Sequence, residues 1–131
     1  MVAIKGTERR FNSLLLLTYI EELEKELVRL KEYYLTHERP ENKRDPDFFA
    51  FVKENTEPVF ETVDQWYGEA LNFVKDRDVH VHPQQIESTE ENIKLLLLHS
   101  YYVDVKRKRY MELHQSVMYV FDLLKNDVDN H

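Results

Sequence analysis

Leu16, Ile20, Leu23, Leu27, Leu30 and Tyr34 recur at alternating spacings of four and three, with Glu21, Glu22, Lys25, Glu26 and Lys31 between them. That is one apolar stripe along a long amphipathic helix with a charged outer side. A helix with such a stripe needs apolar partners to cover it, so the remaining segments are expected to pack against it. The spacing predicts a first helix over 7–37, with Thr7 as N-cap and Glu8 behind it. Pro40 ends the helix, because the residue before a proline is pushed out of helical geometry. About thirty residues at 1.5 Å each make roughly 45 Å, the long dimension of the fold.

After the polar stretch from Glu38 to Pro46, Asp45-Pro46-Asp47 reads as N-cap, first-turn proline and first-turn acid. The second helix is expected over 46–76, with Phe48, Val52, Val59, Val63, Trp66, Ala70 and Phe73 in register. Pro58 falls inside it. Val52 and Val59 keep helical register across it, which predicts a kink or a break near Pro58 but no reversal. Pro83 opens a third helix over 83–103 with Ile86, Ile93, Leu97 and Tyr101 inward. Leu95, Leu96 and Leu98 make that helix apolar nearly all round, so it is expected to be the most enclosed. A fourth helix is expected over 105–125, capped by Asp104, with Tyr110, Leu113, Val117, Phe121 and Leu124 inward. Neither glycine nor proline marks the boundary before it. The pattern predicts an all-α, antiparallel up-and-down four-helix bundle filling residues 1–131 as one domain.

Composition narrows the function classes. The 131 residues carry 18 basic and 25 acidic side chains, a formal charge of −7 that opposes general affinity for nucleic acid. There is no cysteine, so disulfide and thiolate chemistry are excluded. Lys5, Arg9 and Arg10 before Leu14-Leu15-Leu16-Leu17 imitate a signal peptide, but the run meets Glu21 and Glu22 without a cleavage site. No apolar run reaches the ~18 residues that span a bilayer. The expected setting is cytoplasmic, as a monomer or homodimer with a protein partner and without a cofactor.

Three stretches taken together carry a family likeness. They are Asp47-Phe48-Phe49 continuing to Trp66-Tyr67-Gly68-Glu69-Ala70-Leu71, then His82-Pro83-Gln84-Gln85-Ile86-Glu87, and Lys108-Arg109-Tyr110 through Ser116-Val117-Met118-Tyr119. In order and spacing, over roughly Asp47 to Leu124, they resemble the YppE-like proteins, small cytoplasmic proteins of Gram-positive bacteria grouped as a domain of unknown function. The resemblance implies an up-and-down four-helix bundle. It implies no reaction, cofactor or catalytic residue.

The candidate chemistry is sparse. Di-iron bundles use inward glutamates and Glu-x-x-His pairs; this chain has no Glu-x-x-His, and Glu90 is the one carboxylate in register with an apolar stripe. His80 and His82 offer two imidazoles for zinc or nickel if a third ligand joins them, and are otherwise loop histidines at a helix start. Arg109 and His114 resemble the arginine–histidine signature of HEPN ribonucleases, where the pair handles phosphate and a proton, but Tyr110 stands where that pattern is polar. Lys106, Arg107, Lys108 and Arg109 form either a solvated corner or a contact for an acidic partner. Glu54, Glu57, Glu61 and Asp64, followed by Glu69, run along the outer side of the second helix with no basic residue between Lys53 and Lys75. They are either a wet face or a docking surface for a basic partner, where charge sets encounter rate and specificity. Phe48, Phe49 and Phe51 cannot all face one core, so one is expected to cap the bundle or lie exposed. Trp66 and Tyr67 are expected to pack. The leading expectation is a non-enzymatic adaptor or regulator, with the ribonuclease as the alternative.

Overall fold

The computed structural model describes residues 2–75 and 78–130, with side chains described from Arg10 onward. Four helices follow one another: α1 (Val2–Thr36), α2 (Pro46–Lys75), α3 (Pro83–Tyr102) and α4 (Arg107–Asp129). No strand occurs among the described residues. The short connections force antiparallel neighbours, giving the all-α up-and-down bundle that the apolar spacing predicts. None of the helices among the described residues is long and apolar enough to cross a membrane.

The stripe on α1 is the axis of the fold. Leu16, Ile20, Leu23, Leu27 and Leu30 are fully buried and Tyr34 nearly so. Both α1 and α3 pack on all three other helices, whereas the backbones of α2 and α4 do not approach one another. The cross-section is therefore a rhombus, with α1 and α3 on its short diagonal. Large side chains fill the long one: Trp66 of α2 meets Phe121 of α4 edge-on, ring centroids 5.5 Å apart.

Several local expectations are corrected. α1 begins at Val2, so Thr7 lies inside the helix and is not its N-cap. No proline precedes Thr7, and the single Gly6 costs about 1 kcal/mol, too little to delay the start. Of the kink or break expected at Pro58, the break is absent, since α2 runs through it as one helix without reversal. Thr56 holds the core position between Val52 and Val59, its hydroxyl donating to the Val52 carbonyl at 2.8 Å so that no polar group is stranded. The end expected at Asp76 lies outside the described residues. α3 is not enclosed all round, since Leu95 and Leu98 are 40 and 42 % exposed. They sit on the outer side of a helix whose core face is already filled by Ile86, Ile93, Leu96, Leu97 and Tyr101.

The α3–α4 turn differs most. Asp104 does not cap α4; the N-cap is Lys106, and the Asp104 carboxylate instead meets His99 Nδ1 at 2.7 Å and Lys43 Nζ at 3.9 Å. Val103 closes α3 in the left-handed region, φ 48°, a conformation that a β-branched residue adopts only under constraint. The constraint comes from outside the turn. The Tyr34 hydroxyl donates to the Val105 carbonyl at 2.6 Å, Arg39 Nε donates to the Val103 carbonyl at 3.4 Å, and the Tyr34 ring stacks on Tyr110 at 3.9 Å. α4 then continues to Asp129, one turn beyond the expected end.

Burial along α1 sets the expected sensitivity. Leu27→Ala should cost about 2–5 kcal/mol in chemical denaturation, because it opens a cavity where α1 meets its partners. Val28→Ala, one position on and 61 % exposed, should change stability by no more than ~0.5 kcal/mol.

Candidate functional site

The outer face of α2 carries the acidic stripe. Glu54, Glu57, Glu61 and Asp64 are all exposed and Glu69 is half-buried. The stripe is less free than its own helix suggests. Lys94 of α3 reaches Asp64 at 3.2 Å while also holding Glu90 at 2.8 Å, and Lys53 lies 3.7 Å from Glu57. Its hydrogen bonds to Glu90 and then Asp64 raise the Lys94 pKa against the opposing pull of desolvation. Glu54, Glu61 and Glu69 are the members with no ion pair among the described residues. On the α3 side, desolvation together with Glu87 and Glu90 pushes the Tyr67 phenol upward.

Lys106, Arg107, Lys108 and Arg109 are all exposed where α4 begins. Arg109 leans toward Glu112 at 4.0 Å, and no carboxylate pairs with the other three among the described residues. The cluster stands at the helix N-terminus, where cations oppose the dipole by some tenths of a kcal/mol each.

Arg109 and His114 do not come together within the chain. Five helical residues place them about 140° apart around α4. Arg109 is exposed beside Glu112, whereas His114 is buried against α1, near Lys31 and the Leu27 backbone. Desolvation lowers the His114 pKa, and Lys31 lowers it further. Its Nε2 has no hydrogen-bond partner.

His80 and His82 also serve structure. His80 is exposed, and its Nδ1 bonds to Asp127 Oδ1 at 2.7 Å. Asp127, 1 % exposed, also accepts the His80 and Val81 backbone N–H groups on Oδ2 at 3.0 and 3.2 Å. The His82 N–H donates to the Gln85 side chain at 2.8 Å, closing the first turn of α3. No three potential metal-ligating side chains gather among the described residues. Reading the chain did not single out Asp127. Carrying the α4 stripe one turn past Leu124 would have exposed the signal, because an acid on a core-facing position needs donors.

The aromatic questions resolve at the end of the bundle where α2 begins. Phe48 is half-buried edge-on to Tyr102 at 5.3 Å, and Phe51 meets Tyr101 edge-on at 5.7 Å. Phe49 is the most exposed of the three, at 59 %, and Phe51 remains 42 % exposed despite its ring contact. Trp66 is fully buried and Tyr67 half-buried. Burial pushes the Tyr110 phenol up to about 12, although its hydroxyl shares a 2.7 Å bond with Ser100.

Comparison with known proteins agrees with the fold and is silent on chemistry. Residues 20–128 match the profile of a bacterial domain of unknown function (DUF1798). Over 83 residues the chain is 32 % identical to the protein YppE of Bacillus subtilis, covering 63 % of this chain and 68 % of that one. The crystal structure of B. subtilis YppE superposes with a TM-score of 0.79 at 27 % identity, covering 90 % of this chain and 95 % of that one. A Listeria innocua protein of unknown function solved at 1.74 Å gives 0.73 at 19 % identity over 92 and 96 %, a likeness of fold alone.

Two measurements test these assignments. Asp127→Ala should lower stability by about 2–4 kcal/mol, since it strands two backbone donors and frees the 78–82 connection. His114 has its folded pKa below the ordinary 6.5, so its unfolded form takes up a proton first as pH falls. Its contribution to stability is complete above about 6.5 and declines below it by at most ~1.4 kcal/mol per pH unit. Urea midpoints measured from pH 7.5 to 5 should fall less steeply for His114→Leu than for the unmodified chain.

Proposed function

Because the chain belongs to the bacterial DUF1798 family and shares its fold with YppE, we propose that it is a non-enzymatic cytosolic protein that acts by surface contact, as an adaptor or regulator. One observation carries this reading: charge is segregated on the outside of the bundle. Glu54, Glu57, Glu61 and Asp64 line the exposed side of α2, and Lys106 to Arg109 stand exposed at the start of α4. These two helices are the pair whose backbones do not approach one another, so the charges lie on opposite corners of the rhombus. The α2 face is the contact surface, and its partner is a protein with a basic segment. Matched charge there accelerates encounter and rejects acidic competitors, while apolar contact around it supplies most of the affinity. Residual basic pairing does not block the face, since exposed pairs such as Lys53–Glu57 and Lys94–Asp64 contribute no more than about 1 kcal/mol.

The test is charge reversal. Glu57→Lys, Glu61→Lys and Asp64→Lys combined should leave the helical circular dichroism unchanged and shift stability by no more than ~1 kcal/mol. The same variant should lose the proteins that the unmodified chain captures from native cells, as identified by quantitative mass spectrometry. An identical captured set for both would reduce the stripe to a solvated face.

A further inference from the structure

Between the middle turns of α1 and α2 lies a groove of about 340 Å³. Leu23 and Val59 form its floor, the Glu22–Lys25–Glu26 turn of α1 one wall, and Pro58 with Thr62 the other. The floor belongs to the buried core and the walls reach solvent. Glu54 and Glu61 stand four residues before and three after Pro58, so they share its side of α2 without lining the groove itself. Glu22 and Glu26 form the facing ridge one turn apart on α1. Pro58 has no N–H, which removes the helical donor for the Glu54 carbonyl and leaves an acceptor along that wall. Against these stands Lys25 on the α1 wall, and Glu26 is already paired with Arg29, outside the lining, at 2.8 Å. Glu22, Glu54 and Glu61 have no ion pair among the described residues.

We propose that this groove seats a single arginine side chain from the basic segment of the partner, an assignment that rests on the acidic contact face of α2 proposed above. The size fits. A volume near the lower end of ligand sites, about 300 Å³, takes one long side chain and not an extended cofactor. The chemistry fits as well. An arginine stem lies along the apolar floor of Leu23, Val59 and Pro58 while its head stays at the wet rim. The planar guanidinium presents several donors in one fork, matching a carboxylate on α1 and a carbonyl on α2 together, which a lysine ammonium does with less geometric definition. The groove gives the stripe its specificity: the surface carboxylates attract any basic chain, and the seat selects one with arginine in register.

The experiment uses isotope-labelled protein and two short capped peptides, identical except that one carries a central arginine and the other its uncharged isostere citrulline among serines and glycines. The arginine peptide should shift the backbone amides of Leu23, Glu26, Val59 and Thr62 along a saturating curve in the millimolar range, and the citrulline peptide should not. Thr62→Trp, which fills the groove, should abolish the saturation; Glu22→Gln with Glu26→Gln, which leaves the packing alone, should weaken it at least ~5-fold, so that a misfolded tryptophan variant does not decide the matter. No saturable shift to about 10 mM, equal shifts with citrulline, or binding unchanged in the glutamine variant would overturn the seat. That failure is separable from failure of the surface reading. Partner capture that is lost on reversing the stripe but unaffected by the glutamine pair removes the groove alone. Capture indifferent to stripe reversal removes the surface reading and leaves the peptide result standing.

Discussion

The bundle depends on covering one stripe. Six apolar residues on α1, from Leu16 to Tyr34, reach burial of 7 % exposure or less, and no one neighbouring helix can cover all of them. Three helices do so, and the price is a flattened cross-section in which α2 and α4 stay apart. Large side chains must then reach across the gap, which is why Trp66 and Phe121 are among the largest fully buried groups and meet edge-on. The α1–α4 seam is the least extensive contact of α1, and its polar links are Glu24 with Lys125 at 2.9 Å and His114 beside Lys31. A neutral imidazole there does little harm to packing. A charged one beside an ammonium is a different matter, so stability is tied to pH at this seam.

What was legible in the chain follows from the range of the forces involved. Periodicity is local, so the stripe on α1, the inward face of α4 and the Asp45 cap, whose Oδ1 accepts the Asp47 N–H at 3.0 Å, could all be read directly. The α3–α4 turn could not. It contains no glycine, and Val103 holds a left-handed backbone only because Tyr34 and Arg39, some seventy and sixty residues away in sequence, bind the carbonyls around it. A propensity scale has no access to such partners. Leu95 and Leu98 misled for a related reason: composition made α3 look enclosed, but a helix has only as much buried face as its neighbours can reach, and two leucines were left over.

The candidate sites divide in the same way. Exposure of Glu54 to Asp64 and of Lys106 to Arg109 was legible because charge at helical spacing opposite an apolar stripe points outward. Cross-helix pairing was not: Lys94 on α3 pairs with Asp64 on α2, which, added to the Lys53–Glu57 pair within α2, leaves Glu54 and Glu61 as the unpaired members between Glu54 and Asp64 among the described residues. Arg109 and His114 looked paired as a motif, yet helical geometry sends one to solvent and the other into the α1 seam. His80 and His82 read as loop histidines with metal ligation as an alternative, and Asp127 uses His80 to anchor the connection between α2 and α3. In each case a reactive residue type was visible and its employment was not, because employment is set by residues on another helix.

That division also bears on how such a bundle acquires specificity. Most of its buried polar groups are committed one by one: Thr56, Thr89 and Ser100 bond back to their own helices and Asp127 holds a loop, while His114 keeps an unpartnered Nε2. Removing Asp127 strands two backbone donors, and removing Ser100 strands the Tyr110 hydroxyl, each at a cost in stability. The outward faces carry no such penalty, since exposed charges exchange one hydrated state for another at a fraction of a kcal/mol. Recognition can therefore vary on the outside of α2 while the stripe on α1 continues to define the fold. Pro58 is where the two meet. It sits within a helix that the core needs continuous, and by withholding one N–H it gives the surface an acceptor that no side chain had to supply.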